Sequence, residues 1–252
     1  MKYASPPILP FLARLPVPLF AVLPLIVAAL CGFRLKRTFL CLFCLLLAAA
    51  FCWLPHYAVK PYSLANEVSG SEWAELSAFL TNLLKSENLS DFSSHPPLCP
   101  TVRKAPFSGL LRNFSIAGIF IPLTGEAFVS DREPALTLPF VSFHEQAHQL
   151  GLADEGQASI HAYRACMLSG NTEARISGAL VALKYVLIAW KSDFPSDAAH
   201  FTHSLSPELY SALDEIGAFQ PSQQNTRAFP AFTGDYGDLA KGLICLLRNH
   251  LL

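Results

Sequence analysis

Two histidines and a glutamate in one short run constrain this chain more than any other feature of its sequence. Residues 144–148 read HEQAH, which fits the pattern H-E-x-x-H. Side chains four residues apart on an α-helix face the same way, so the imidazoles of His144 and His148 can reach one cation. The pattern predicts a helix over residues 138–150 that carries a metal site, with Glu145 beside it as general base. Zn²⁺ is the cofactor that such ligands favour.

A catalytic zinc site takes three protein ligands and keeps one position for water, so a third ligand is needed. Asp154 and Glu155 are both candidates, because Gly151 lets the chain turn back toward the metal. Residues 155–159 read EGQAS and are similar to the E-x-x-A-(D/N) pattern that supplies a glutamate ligand in gluzincin peptidases. We favour Glu155, because aspartate is a common N-cap immediately before a helix and Asp154 fits that position. Ser159 could hydrogen-bond a ligand histidine.

The region around the motif predicts an α+β fold that is mainly helical, with one small β-hairpin or sheet. Two β-prone runs, residues 119–121 and 127–129, flank a turn and indicate a hairpin before the metal helix. Apolar residues between Trp73 and Leu84 recur near a 3.6-residue period and predict a helix. Residues 90–106 are proline-rich and are expected to form a loop. Further helices are expected at residues 155–168, 172–190, 207–216 and 236–251.

The apolar residues of the chain are concentrated in its first fifty-odd positions. The whole chain is 52% apolar and 15% charged, whereas soluble domains carry about 25% charged residues. Residues 15–33 are uncharged and residues 38–54 form a second apolar run, each close to the length that spans roughly 30 Å of hydrocarbon. The cations between them suggest a tight turn. This pattern predicts a two-helix transmembrane hairpin over residues 1–55, followed by a catalytic domain over residues 56–252.

The cations also suggest an orientation for the predicted hairpin. Arg34, Lys36 and Arg37 lie in the turn, and positive residues stay on the cytoplasmic side of a membrane. We therefore expect a multi-pass protein of the cell membrane, in contact with the lipid bilayer, whose catalytic domain is extracytoplasmic. The alternative is a signal peptide with its apolar core at residues 39–47. Two apolar runs favour the hairpin, because a signal peptide has one.

Several blocks of the sequence resemble a bacterial membrane family catalogued as domain of unknown function 3810, which is described as zinc-peptidase-like. The blocks are residues 107–109, 118–127, 139–140, 144–155, 175–178 and 236–239. The resemblance implies a zincin-like fold in which His144, His148 and Glu155 hold the metal. The chain departs from the family at two places. Gln157 stands where a second glutamate is common, and Ser159 stands where an asparagine is common.

Three functions are compatible with these features. The leading hypothesis is a membrane-anchored zinc metallopeptidase that acts on a peptide or protein, which the intact Glu145 favours. The alternative is a zinc-binding membrane protein without proteolytic activity, in assembly or sensing, which Gln157 and the lack of an obvious oxyanion donor favour. The third is a zinc hydrolase of another amide, such as a peptidoglycan stem. The candidate oxyanion donors are Tyr163, Tyr236, His161, His200 and His203, of which we favour Tyr236.

Nucleic acid is not an expected partner of this chain. The formal net charge is -1 at pH 7, so no strong field attracts a polyanion. The sequence also lacks a basic stripe with interleaved aromatic residues, which single-stranded nucleic acid requires.

Overall fold

The computed structural model describes residues 19–32, 34–53, 56, 58–87, 89–106, 108–113, 116–217 and 236–251. The helices, in chain order, are α1 Leu19–Leu30, α2 Leu35–Trp53, α3 Gly70–Ser86, α4 Ser108–Asn113, α5 Leu138–Gln149, α6 Glu155–Leu168, α7 Thr172–Asp193, α8 Pro195–His203, α9 Pro207–Glu215 and α10 Tyr236–Arg248. The strands are β1 Val102–Lys104, β2 Gly118–Ile121 and β3 Glu126–Val129, and single 3-10 turns occur at Leu89–Asp91 and Ala135–Thr137. The mainly helical α+β prediction is confirmed.

The first two helices correct the prediction of a transmembrane hairpin. In the described part of the chain, no helix is both long and apolar enough to cross a membrane. The 12 residues of α1 rise only about 18 Å, less than the roughly 30 Å of the hydrocarbon core. The 19 residues of α2 include two cations, Lys36 and Arg37, in the first turn. The predicted hairpin is therefore wrong. Residues 15–18, 33 and 54 of the expected spans lie outside the described residues, and the division at residue 55 stays a prediction.

Helix α7 is the centre of the helical core. Its buried residues lie on all sides, as is typical of a helix that is surrounded by protein. It packs against α3, α5, α6, α8 and α10. The predicted apolar period of α3 is confirmed, because Trp73, Leu76 and Leu80 are fully buried. A capping box between Ser69 and Glu72 fixes the start of that helix.

The small sheet has three strands in the order β1-β3-β2. The predicted hairpin is confirmed, since β2 and β3 pair in antiparallel fashion and Gly125 has a φ of 71° in the turn between them. Strand β1 pairs with β3 in parallel and was expected to be loop. Its three residues carry no periodic signal, and only the pairing with β3 makes them a strand. Within this sheet β2 is an edge strand.

Helix α5 connects the sheet to the helical core. One side of it contacts β2 and β3, and another side contacts α6 and α7. Two short helices, α4 and α8, were not predicted, because α4 has only six residues and α8 buries only Ala198, so neither shows a clear apolar period. The predicted motif helix is thus held between two layers. Its histidines lie at the junction between the sheet and the helices.

Candidate metal centre

The local sequence explains where α5 begins and ends. Pro139 lies in the first turn, where a missing N–H costs no helical hydrogen bond. After Gln149 the chain reverses at Gly151, whose φ of 94° is strained for any residue with a Cβ. The N–H of Leu152 then donates to the carbonyl of Ala147 at 3.1 Å and closes the turn. This reversal brings the start of α6 back beside the two histidines.

Three side chains converge on one point at this reversal. The Nε2 atom of His144 lies 2.9 Å from Oε2 of Glu155, and Nε2 of His148 lies 3.5 Å from the same oxygen. The two Nε2 atoms are 3.2 Å apart. A tetrahedral zinc with ligands at about 2.0–2.1 Å would separate its ligand atoms by roughly 3.3 Å. His144, His148 and Glu155 form a triad that can hold a metal ion.

The far sides of both imidazole rings have partners as well. Nδ1 of His148 donates to the carbonyl of Leu152 at 2.6 Å. Nδ1 of His144 lies 3.2 Å from Oγ of Ser159. A hydrogen bond from Nδ1–H fixes the tautomer in which Nε2 carries the lone pair, and that lone pair is what a metal binds. These contacts therefore orient both rings for metal binding.

Asp154, the other candidate ligand, has a different environment. Its Oδ1 accepts a hydrogen bond from the N–H of Gln157 at 3.0 Å, so Asp154 is the N-cap of α6. Its Oδ2 lies 3.0 Å from Nζ of Lys60. Both carboxylate oxygens are thus engaged away from the imidazoles. The structure brings Glu155, and not Asp154, to the histidines.

A family described as "Protein of unknown function (DUF3810)" matches residues 66–236. The chain belongs to the DUF3810 family. The matched region of this DUF3810 chain contains the whole triad and Glu145, and it begins a few residues before α3. Comparisons with curated proteins and with solved structures found no match to this chain.

The side chain of Gln157 lies outside the triad. Its Oε1 accepts a hydrogen bond from the backbone N–H of Tyr62 at 2.7 Å. Its Nε2 donates to the carbonyl of Tyr62 at 2.9 Å. The side chain is almost fully buried, at 2% exposure. The Gln157 amide therefore does not occupy a metal-ligand position, and the three ligand atoms of the triad do not depend on a carboxylate at residue 157.

Glu145 lies buried beside the triad, at 5% exposure. Burial raises its pKa to about 8, against a smaller lowering by His148. Its Oε2 has no hydrogen-bond partner within the described part of the chain, which costs folding free energy unless a ligand engages it. Strand β2 passes directly over it, since a Cβ on Gly118 would lie 2.6 Å from Oε1 of Glu145. The lack of a side chain at Gly118 thus lets β2 pass close to Glu145, and does not only help to form the turn.

The residues of the triad strongly shift one another's pKa values. Burial raises the pKa of Glu155, but hydrogen bonds from both histidines outweigh burial and hold that pKa well below its usual range. Burial lowers the pKa of His148, but the hydrogen bond to Glu155 and the charge of Glu145 outweigh it and raise the pKa to about 9. Burial lowers the pKa of His144. A metal ion that binds here must displace the protons through which both Nε2 atoms donate to Glu155 in the metal-free chain, so acid weakens binding.

The candidate oxyanion donors lie in varied places. Tyr236 begins α10, but its side chain lies outside the described residues. Nδ1 of His161 lies 3.0 Å from the hydroxyl of Tyr62, and Tyr163 is part of the helical core. His200 and His203 are exposed on α8. Among the described side chains of this set, none hydrogen-bonds a member of the triad.

Proposed function

We propose that this DUF3810 protein is a zinc-dependent metallopeptidase. The observation that carries the proposal is the convergence of His144, His148 and Glu155 on one point, with Glu145 beside them. Two imidazoles and one carboxylate are a ligand set of catalytic zinc sites, which keep a further position for water. The side chain of Glu155 is 41% exposed, so the centre opens to solvent on that side.

Glu145 supplies the proton chemistry in this proposal. When bound, zinc acts as a Lewis acid and lowers the pKa of water to about 7. Glu145 accepts a proton from the attacking water and delivers it to the leaving amine as the peptide bond breaks. Burial raises the pKa of this carboxyl to about 8 in the metal-free chain, and the positive charge of a bound zinc would lower that pKa toward the ionised form that a general base needs.

The edge strand suggests how a peptide could lie in the site. Strand β2 is half-buried along its length and has β3 on one side within the described sheet. An extended peptide can add to such an edge through backbone hydrogen bonds. Gly118 begins β2 over the carboxylate of Glu145. A peptide bound along this edge would pass close to the general base.

Glu145→Gln tests the proposal in the full-length protein. The variant should bind as much zinc as wild type, because Glu145 is not a ligand, but its turnover of casein or a peptide library should fall by about 10²–10⁴-fold. Glu133→Gln is the matched control. Glu133 is also partly buried, with a pKa raised mainly by burial, and lies before α5, outside the triad. This control should retain both zinc and activity.

Two results would contradict the proposal. One is the absence of zinc from wild type after purification in zinc-containing buffer. The other is equal turnover by Glu145→Gln and wild type. Equal zinc in both proteins with no turnover in either would favour the non-proteolytic, zinc-binding function. Turnover of peptidoglycan stem peptides alone would favour the other amide hydrolase.

A further inference from the structure

A short segment before α3 lies across the junction between α5 and α6. This segment, residues 58–62, is called the strap. Val59 and the ring of Tyr62 pack on a small apolar cluster that consists of Ala147, Leu152 and Ala158. Just before the strap, Cδ2 of His56 lies 2.9 Å from the place where a Cβ would stand on Gly151. The strap thus covers the reversal that joins the two ligand-bearing helices.

Gln157 connects the strap to α6 by a paired amide contact. Its side chain bonds both the N–H and the carbonyl of Tyr62, at 2.7 and 2.9 Å, much as a neighbouring β-strand would. Both polar ends of this buried amide are therefore satisfied. Loss of one partner of a buried polar pair leaves the other unsatisfied and costs the full desolvation of that group.

A second contact joins the strap to the residue before Glu155. Nζ of Lys60 lies 3.0 Å from Oδ2 of Asp154, whose other oxygen caps α6. Asp154 precedes Glu155 by one residue and Gln157 follows it by two. The strap therefore holds the first turn of α6 on both sides of the third ligand.

The ring of Tyr62 adds contacts one turn further along α6. Its hydroxyl lies 3.0 Å from Nδ1 of His161. The guanidinium of Arg164 lies 5.6 Å from the ring centroid, within the range of a cation–π contact. The strap thus follows α6 from its N-cap to its third turn. None of these contacts requires an ion in the site.

We propose that the strap is a positioning element for the third metal ligand, and that Gln157 is the residue through which it acts. This inference rests on the proposed metal site. A ligand that is already held in place loses little freedom when the ion binds, so contacts behind the ligands raise metal affinity. The strap precedes residue 66, where the match to the DUF3810 family begins.

Gln157→Ala in the full-length protein tests this inference. Zinc affinity, measured by competition with a chelator, should fall about tenfold, which is within the range for residues that support metal ligands. The visible absorption of bound Co²⁺ should also change, because it reports the coordination geometry and Glu155 would be held less firmly in place. Asn171→Ala is the control for lost stability alone. Asn171 caps α7 by accepting from the N–H of Ala174 at 2.9 Å, away from the triad, so this variant should keep wild-type affinity and spectrum.

Hydrogen exchange gives a readout that needs no metal. In the metal-free protein, amides in the first turn of α6 should exchange faster in Gln157→Ala than in Asn171→Ala. Zinc affinity in Gln157→Ala equal to that of wild type would overturn the strap inference and leave the metal site standing. Failure of wild type to bind zinc would overturn the proposed function. If wild type binds no zinc and the α6 amides of Gln157→Ala also exchange no faster than those of Asn171→Ala, the positioning role is overturned as well.

Discussion

At the scale of single residues, neighbouring carboxylates perform different tasks. Asp154 and Glu155 are adjacent in sequence, yet one caps a helix and the other reaches two imidazoles. The difference follows from the start of α6. The N-cap side chain folds back onto the free N–H groups of the first turn. The next side chain is released from that contact and can point across the reversal toward α5.

Separate alanine variants of these two residues should therefore have different effects. Glu155→Ala removes the proposed third ligand, and its zinc affinity should fall by at least about 100-fold, beyond the usual effect of a supporting residue. Asp154→Ala loses the cap, which should lower the free energy of unfolding by about 0.5–2 kcal/mol, but it should still bind zinc. Metal content after dialysis and chemical denaturation measure the two effects. Loss of zinc only in Asp154→Ala would contradict the assignment of the third ligand.

The sequence revealed the triad because its members are close in the chain and follow known spacings. The histidines are four residues apart, and Asp154 stands where a helix start calls for a cap. The environment of Gln157 could not be predicted in this way. Its partner Tyr62 is 95 residues away and contributes only backbone atoms. Nothing in the identity of Tyr62 signals that contact.

At the scale of elements, α3 and α10 are joined by an ion pair between distant parts of the chain. Nε of Arg248 lies 2.7 Å from Oε1 of Glu72. The hydrogen bond from Arg248, together with those from Ser69, lowers the pKa of Glu72 from 4.5 to about 2. A lowered pKa in the folded state means that the ionised carboxylate stabilises the fold. That contribution is present above pH 4.5 and is lost as the pH falls toward about 2.

Glu72→Gln should remove this acid-sensitive part of the stability. The variant should be less stable than wild type at neutral pH, and the gap should close as the pH falls from about 4.5 to about 2. Urea denaturation at several pH values measures the gap. Glu75→Gln, at an exposed position on the same helix, is the control and should follow wild type. A gap that widens in acid would contradict the proposed linkage.

Elements with a clear signal in their own sequence were predictable, whereas some short elements without such a signal were not. The apolar period of α3 and the residue patterns of α6 and α7 indicated helices that the structure contains. Strand β1 has three residues and depends on β3 for its partners, so its own sequence contains no signal. The described residues of the two apolar N-terminal runs are helical, but the transmembrane hairpin predicted from these runs is wrong. The first helix ends at Leu30, and Gly32 follows with a φ of 63°.

At the scale of the whole molecule, metal binding should be linked to folding. The triad joins α5 and α6, and the unfolded chain has no such assembled site. A ligand that binds only the folded state stabilises it by RT ln(1 + [L]/Kd), about 2.7 kcal/mol at a free concentration of 100 times Kd. Zinc should therefore raise the melting temperature of wild type, and a chelator should reverse the change. Glu155→Ala should show little response, and an equal response in both proteins would contradict the linkage.

The apolar excess at the start of the chain misled the prediction for the whole molecule. Its two runs have the position and length that predict membrane spans, but no described helix is both long and apolar enough to be one. In the structure, part of that excess forms the surface of the first two helices, where Leu30 and Leu35 are each 83% exposed and Phe39 is 72% exposed. A run of apolar residues does not say where a helix ends. Helix ends depend on local turns, such as the one at Gly32.

The position of the strap has a practical consequence for anyone who trims this chain. A fragment that starts at residue 66, the first residue of the family match, would retain the whole triad and Glu145. It would lack both backbone bonds to Gln157 and the ammonium group beside Asp154. The smallest piece with a fully supported centre therefore starts upstream of His56, and family boundaries alone would cut it too short.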